Sequence, residues 1–118
     1  MLTITLLGTA ATMPLPERAL TAAVAECGGH SLLLDCGEGT QTAARRAGVS
    51  IFRMDAILLT HYHGDHIFGL PGIWQTMAAQ ALLDKALSPE VQAIVNGEGS
   101  DAQKVAMLRP LLFGKAQT

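Results

Sequence analysis

The sequence predicts a layered α/β domain followed by a helical tail. Two observations carry the first part: apolar residues alternating at a spacing of two near the start, and an order of strands, helix, strand, loop and helix through the first 76 residues. A third carries the tail, where an Ala- and Leu-rich composition sets in at Met77 with helix caps at sensible spacings. The chain has 118 residues, 49% of them hydrophobic and 15% charged. That suits one small domain with a buried core, although a chain this short buries a smaller share of its surface than a large enzyme.

Each element follows from local chemistry. Leu2, Ile4 and Leu6 alternate with Thr3 and Thr5, which predicts a strand over residues 2–7. Gly8-Thr9 then turns the chain into a loop containing Pro14 and Pro16. Residues 21–27 and 30–35 read as a β-hairpin about Gly28-Gly29. Its second arm holds the continuous run Leu32-Leu33-Leu34, the pattern of a strand covered on both faces. Asp35-Cys36-Gly37-Glu38-Gly39 is a loop, and residues 40–47 a helix with Gly48 at the stop position. Residues 54–60 read as a buried strand running into a histidine-rich loop, and Leu70-Pro71-Gly72 leads into a helix from about Ile73. In the tail, residues 78–87 read as a helix, and Ser88-Pro89 caps and opens another, broken by Gly97 and Gly99. Ser100 caps a last helix that should end near Arg109, before Pro110.

Composition bounds the function classes. No apolar run approaches the roughly 18–20 residues of a membrane helix, and Met1-Leu-Thr-Ile-Thr lacks the basic and apolar regions of a signal peptide. The expectation is a cytoplasmic protein with no membrane partner. A net charge of −2 gives no general support for nucleic-acid binding, so an RNA would need a local patch or a partner. Arg45-Arg46 reads as a solvated helix face rather than a phosphate contact. In the hairpin register Cys27 faces His30, and Cys36 lies about 20 Å away along the strand. A disulfide needs Cα atoms within about 7 Å, so both are expected as free thiols.

The chemistry concentrates in His61-Tyr62-His63-Gly64-Asp65-His66, which holds three of the four histidines. His61 and His63 are two apart, so in an extended segment both imidazoles project to one side and can share a metal. Gly64 allows a tight turn, after which Asp65 and His66 can hold a second ion. Imidazole with carboxylate suits Zn²⁺, with Mn²⁺ or Fe as replacements. Three histidines and an aspartate directly after a strand fit a metal loop better than a chance cluster. His30, beside the hairpin glycines, reads as a surface residue.

His-x-His-x-Asp-His resembles the signature of the metallo-β-lactamase superfamily. Leu6-Leu-Gly-Thr9, Leu34-Asp-Cys-Gly-Glu-Gly-Thr-Gln41, Leu59-Thr-His-Tyr-His-Gly-Asp-His66 and Gly69-Leu-Pro-Gly72 resemble the ribonuclease Z family in particular. The resemblance covers roughly residues 1–76. It implies the N-terminal half of a metallo-β-lactamase-type αββα sandwich, with residues 77–118 a helical tail outside it. It further implies a zinc-dependent phosphodiesterase or endoribonuclease that trims the 3′ end of precursor tRNA with two zinc ions. His61 and His63 match ligands of the first ion. Asp65 and His66 match ligands of the second, with Asp65 also the catalytic proton acceptor. Asp35 matches a buried acid supporting the metal loop, and by its residue type alone it could equally be a strand-end turn former.

The chain also departs from that pattern. No histidine follows His66, so the family's later histidine ligands have no counterpart, and Asp84 and Asp101 lie outside any family-like context. The family's tRNA-gripping arm has no counterpart either. The expectation is a truncated or rearranged half-enzyme with an incomplete two-metal site, little activity as an isolated monomer, and a homodimer as one way to complete it. Two other readings remain: a hydrolase of another small phosphodiester or ester, and a non-catalytic half-domain that binds metal or a partner.

Overall fold

A computed structural model describes residues 1–114; the last four residues of the expected tail lie outside the described residues. The chain divides into two compact units, Met1–Met77 and Ala78–Thr118.

The first unit is built on a five-stranded mixed sheet. Its strands are β1 (Leu2–Ala10), β2 (Ala19–Leu20), β3 (Ala22–Cys27), β4 (His30–Leu34) and β5 (Ala56–Leu58), in the order β2-β1-β3-β4-β5. The expected hairpin is present. Gly28 and Gly29 take positive φ of 57° and 83°, which suits a two-residue turn, and Cys27 pairs with His30. Both cysteines are free thiols, Cys27 exposed and Cys36 buried. β1 runs antiparallel to β3, whereas β4 and β5 run parallel through Leu33 opposite Ile57. A parallel pair needs a crossover, and helix α1 (Thr40–Arg46) supplies it. Gly48 ends that helix with φ 71°, and Arg45 and Arg46 are exposed.

The pleat sorts side chains by face. Val24 and Leu33 are fully buried, and with Leu7, Cys36, Ala44, Ile51 and Ile73 they form the core on one face of the sheet. Each of the Val, Leu and Ile side chains among them contributes about 1.5–3 kcal/mol relative to exposure. On the other face Leu32 and Leu34 are only half-buried. The triple-leucine strand is therefore covered on one face, not on both as its sequence suggests. The strand expected over residues 54–60 also differs. It shortens to Ala56–Leu58 at the sheet edge, with Ala56 and Leu58 exposed, because its outer side has no neighbouring strand.

After β5 come the short helix α2 (Gly64–Ile67) and the long helix α3 (Leu70–Ala86), which runs through the change in composition without a break. It begins at Leu70 rather than Ile73, since proline is well suited to the first turn of a helix. In the second unit, α4 (Pro89–Asn96) is capped by Ser88, whose side chain accepts from the Val91 N–H. Helix α5 (Asp101–Phe113) opens on a reciprocal capping box between Ser100 and Gln103. It continues past Pro110, where a stop was expected. The proline lies in the last turn, where it removes one backbone bond, to the Ala106 carbonyl, and leaves three further residues to complete the helix. No helix among the described residues is long and apolar enough to cross a membrane.

Candidate metal centre

The histidine loop leaves the carboxyl end of β5, and α2 begins inside it. His63 is the extended residue before the helix, and Asp65 and His66 lie in its single turn. Among the described residues one group is spaced to hold a metal ion. His61, His63 and Asp65 each offer a donor atom, and these lie within 4.8 Å of one another. Donors bound at about 2.0–2.2 Å can be at most roughly 4.3 Å apart across one ion. His61 and His63 are exposed, so modest side-chain rotation closes the set. The donor types and spacing therefore fit a metal.

His66 completes the cluster from beneath. Its ring centroid lies 3.9 Å from that of His61, and its Nε2 is 3.6 Å from Asp65 Oδ2. Asp65 thus lies within reach of both the His61–His63 pair and His66, rather than with His66 alone. The Thr12 N–H donates to its Oδ2 at 3.3 Å.

Asp35 orders the loop from below. It sits at the end of β4 with φ 59°, is 4% exposed, and accepts from Thr60 twice: from the backbone N–H at Oδ1 and from the hydroxyl at Oδ2, both at 2.8 Å. Its Oδ2 also lies 2.9 Å from His66 Nδ1. Both functions read from its sequence position, turn former and loop support, are met in one residue. Burial raises its pKa, but the bonds from Thr60 and His66 outweigh that and hold the carboxyl below its ordinary range.

This network accommodates one pair of imidazole tautomers. With Nδ1–H donated to Asp35, His66 presents Nε2 as a lone pair toward the Asp65 carboxylate. The Thr60 hydroxyl gives its proton to Asp35 and can then accept from His61 Nδ1 at 3.1 Å, freeing His61 Nε2. In that tautomer each ring would present Nε2 outward, the form in which an imidazole binds a metal.

Thr60, Thr12, Gly37 and Gly69 were not singled out as functional from sequence. A Cβ at Gly37 would collide with the Asp65 carbonyl, and one at Gly69 with the Gly37 and Cys36 carbonyls. The 35–37 loop therefore lies directly against the metal loop, locked by Cys36 N–H to the His66 carbonyl at 2.7 Å and by Gly69 N–H to the Cys36 carbonyl at 2.9 Å. The glycine-rich motifs carried that signal, but as a family resemblance and not as packing. His30 is exposed, with Nδ1 3.4 Å from Asp55, far in sequence from the loop.

A family model described as anti-Pycsar protein Apyc1 matches residues 2–87. A ribonuclease Z from Lachnoclostridium phytofermentans is 57% identical over 77 residues, which is 65% of this chain and 25% of that protein. The crystal structure of human tRNase Z, short form, superposes with a TM-score of 0.64 at 46% identity, covering 68% of this chain and 30% of that one. The metallo-β-lactamase fold protein YhfI from Bacillus subtilis gives 0.65 at 27% identity, covering 70% and 33%. The chain thus spans about a quarter to a third of the length of these proteins. It resembles the N-terminal part of ribonuclease Z, has part of a metallo-β-lactamase fold, and belongs to the family described as anti-Pycsar protein Apyc1.

Proposed function

We propose that this chain carries the zinc-binding half of a ribonuclease Z-type phosphodiesterase site. The single observation behind the reading is the Asp35–Thr60–His66 network, which fixes the metal loop within a segment 57% identical to a ribonuclease Z. His61 and His63 would hold one ion. Asp65 and His66 would hold a second. Zinc held there would bring bound water toward neutral pKa and neutralise the oxygens of a phosphodiester. Asp65, which accepts from the Thr12 N–H, would take up the proton. The substrate would be a precursor tRNA, acted on in the cytoplasm.

The set of protein donors is smaller than a catalytic pair of zinc ions takes. A catalytic zinc usually has three protein ligands, so the isolated chain should turn over slowly. The test is an assay of the full chain, with zinc supplied, on a precursor tRNA and on bis(p-nitrophenyl) phosphate. Cleavage of the tRNA at its 3′ side, lost in His63→Ala, is the expected result. Turnover of the chromogenic ester alone would point to a small-phosphodiester hydrolase. Metal binding without turnover of either would leave a non-catalytic metal-binding half-domain.

A further inference from the structure

Thr12 has an unusual backbone for its residue type. It lies in the loop between β1 and β2 with φ 64°, a left-handed conformation that a β-branched residue rarely adopts. The Met13 N–H donates back to the Ala11 carbonyl at 2.7 Å, so Thr12 is the centre of a three-residue turn of the strained hand. The chain beyond it has little freedom to relax that strain. Pro14 restrains Met13 to an extended backbone. Pro16 stands second in the tight turn from Leu15 to Arg18, whose ends exchange backbone bonds of 2.9 and 3.0 Å.

Backbone strain persists where the surroundings require one geometry, and it collects at functional sites. Here the turn aims the Thr12 N–H at Oδ2 of Asp65, 53 residues away in the chain. Among the described residues this is the one hydrogen bond that the Asp65 carboxylate accepts. The backbone of Asp65 is fixed separately by the 35–37 loop, where a Cβ on Gly37 would collide with the Asp65 carbonyl. That contact does not fix the last side-chain torsion, which for a carboxylate is broad.

We infer that Thr12 is a positioning residue for Asp65: its left-handed turn presents a backbone N–H that fixes the rotation of the carboxylate. The inference rests on the metal site proposed above. With Oδ2 bonded to Thr12 and 3.6 Å from His66 Nε2, the two oxygens of Asp65 are no longer interchangeable. A carboxylate already held in place loses less freedom when it takes up an ion, so binding is favoured without an added ligand. The role belongs to the backbone N–H, and the exposed Thr12 side chain has no part in it.

The experiment compares two forms of the full chain that share a methyl side chain at position 12. Thr12→Ala keeps the N–H. A chain assembled by ligation at Cys27, with lactic acid in place of Thr12, has an ester oxygen there instead. In calorimetric titration with zinc alone, the ester chain should bind about tenfold more weakly than Thr12→Ala. The visible absorption of cobalt(II) added to each should also differ, while their circular dichroism spectra agree. Equal zinc affinity in the pair overturns the inference and leaves the metal site standing. In the metal-free wild type, the Thr12 amide should exchange with deuterium roughly tenfold more slowly than in Asp65→Ala. Equal exchange in those two chains also overturns it. Failure of the wild type to bind zinc at all is a different result: it removes the proposed site, and the inference falls with it.

Discussion

Asp35 shows how much one side chain can organise. It takes a left-handed backbone, which Asp and Asn tolerate better than other side chains, and its two oxygens meet Thr60 and His66. Asp35→Ala should cost about 2–4 kcal/mol, because the Thr60 N–H and the His66 ring lose a charged acceptor in a buried position. Asp35→Asn should cost less, since the amide oxygen still accepts from Thr60 and the backbone preference is kept. Urea unfolding of the two variants measures the difference, and equal losses would contradict this account. Cys36 behaves differently. Burial pushes its thiol from the ordinary 9.0 up to about 11, against a small opposing effect of the Thr40 hydroxyl. Between those two pH values the unfolded chain has already released its thiol proton while the folded chain keeps it. Stability from this group is therefore complete below pH 9.0 and declines as pH rises toward about 11. Melting temperatures of wild type and Cys36→Ala across pH 8 to 11 should converge as pH rises. A constant gap would show that Cys36 is not the titrating group.

At the level of elements, the local signals and the tertiary surroundings contribute unequally. The Gly28-Gly29 hairpin, the Gly48 stop and the Ser88 and Ser100 caps were all legible, because each depends on backbone conformation and a hydrogen bond within a few residues. The bare side of β4 and the short β5 were not. Whether Leu32 and Leu34 are covered depends on what lies across the sheet, and neighbouring sequence says nothing about that. Pro110 is similar: a proline stops a helix from its interior, but α5 has only one turn left to lose there. Leu33 is where pattern and packing agree, at 1% exposure in the centre of β4. Leu33→Ala should destabilise the fold by about 2–5 kcal/mol. Leu32→Ala, one residue away and only half-buried, should cost less than half as much. Comparable losses in the two variants would mean that the two faces are equally covered.

For the whole molecule, the candidate site was legible as residue identities and not as an arrangement. His61, His63, Asp65 and His66 could be named from spacing alone. Their support could not, because Thr60, Thr12, Gly37 and Gly69 act through distances that only folding creates. The structure brings three donors to one place and leaves His66 bound to Asp35 through its other nitrogen. One ion held by two imidazoles and a carboxylate is therefore the arrangement that a single copy can reach, and a second ion would have His66 and a shared Asp65 as its protein ligands. Calorimetric titration of zinc into the full chain should give one site per copy, of micromolar affinity or weaker. An ion that binds the folded chain but not the unfolded one, supplied at a hundredfold excess over its dissociation constant, stabilises by about 2.7 kcal/mol. The melting temperature should accordingly rise with zinc and fall back with a chelator. His63→Ala should lose the response. Asp35→Asn should bind zinc about 10–100-fold more weakly, because it no longer orients the Thr60 hydroxyl that lies 3.1 Å from His61 Nδ1. Two tight sites per copy, or a zinc response unchanged in His63→Ala, would show that the donors are organised differently from the arrangement described.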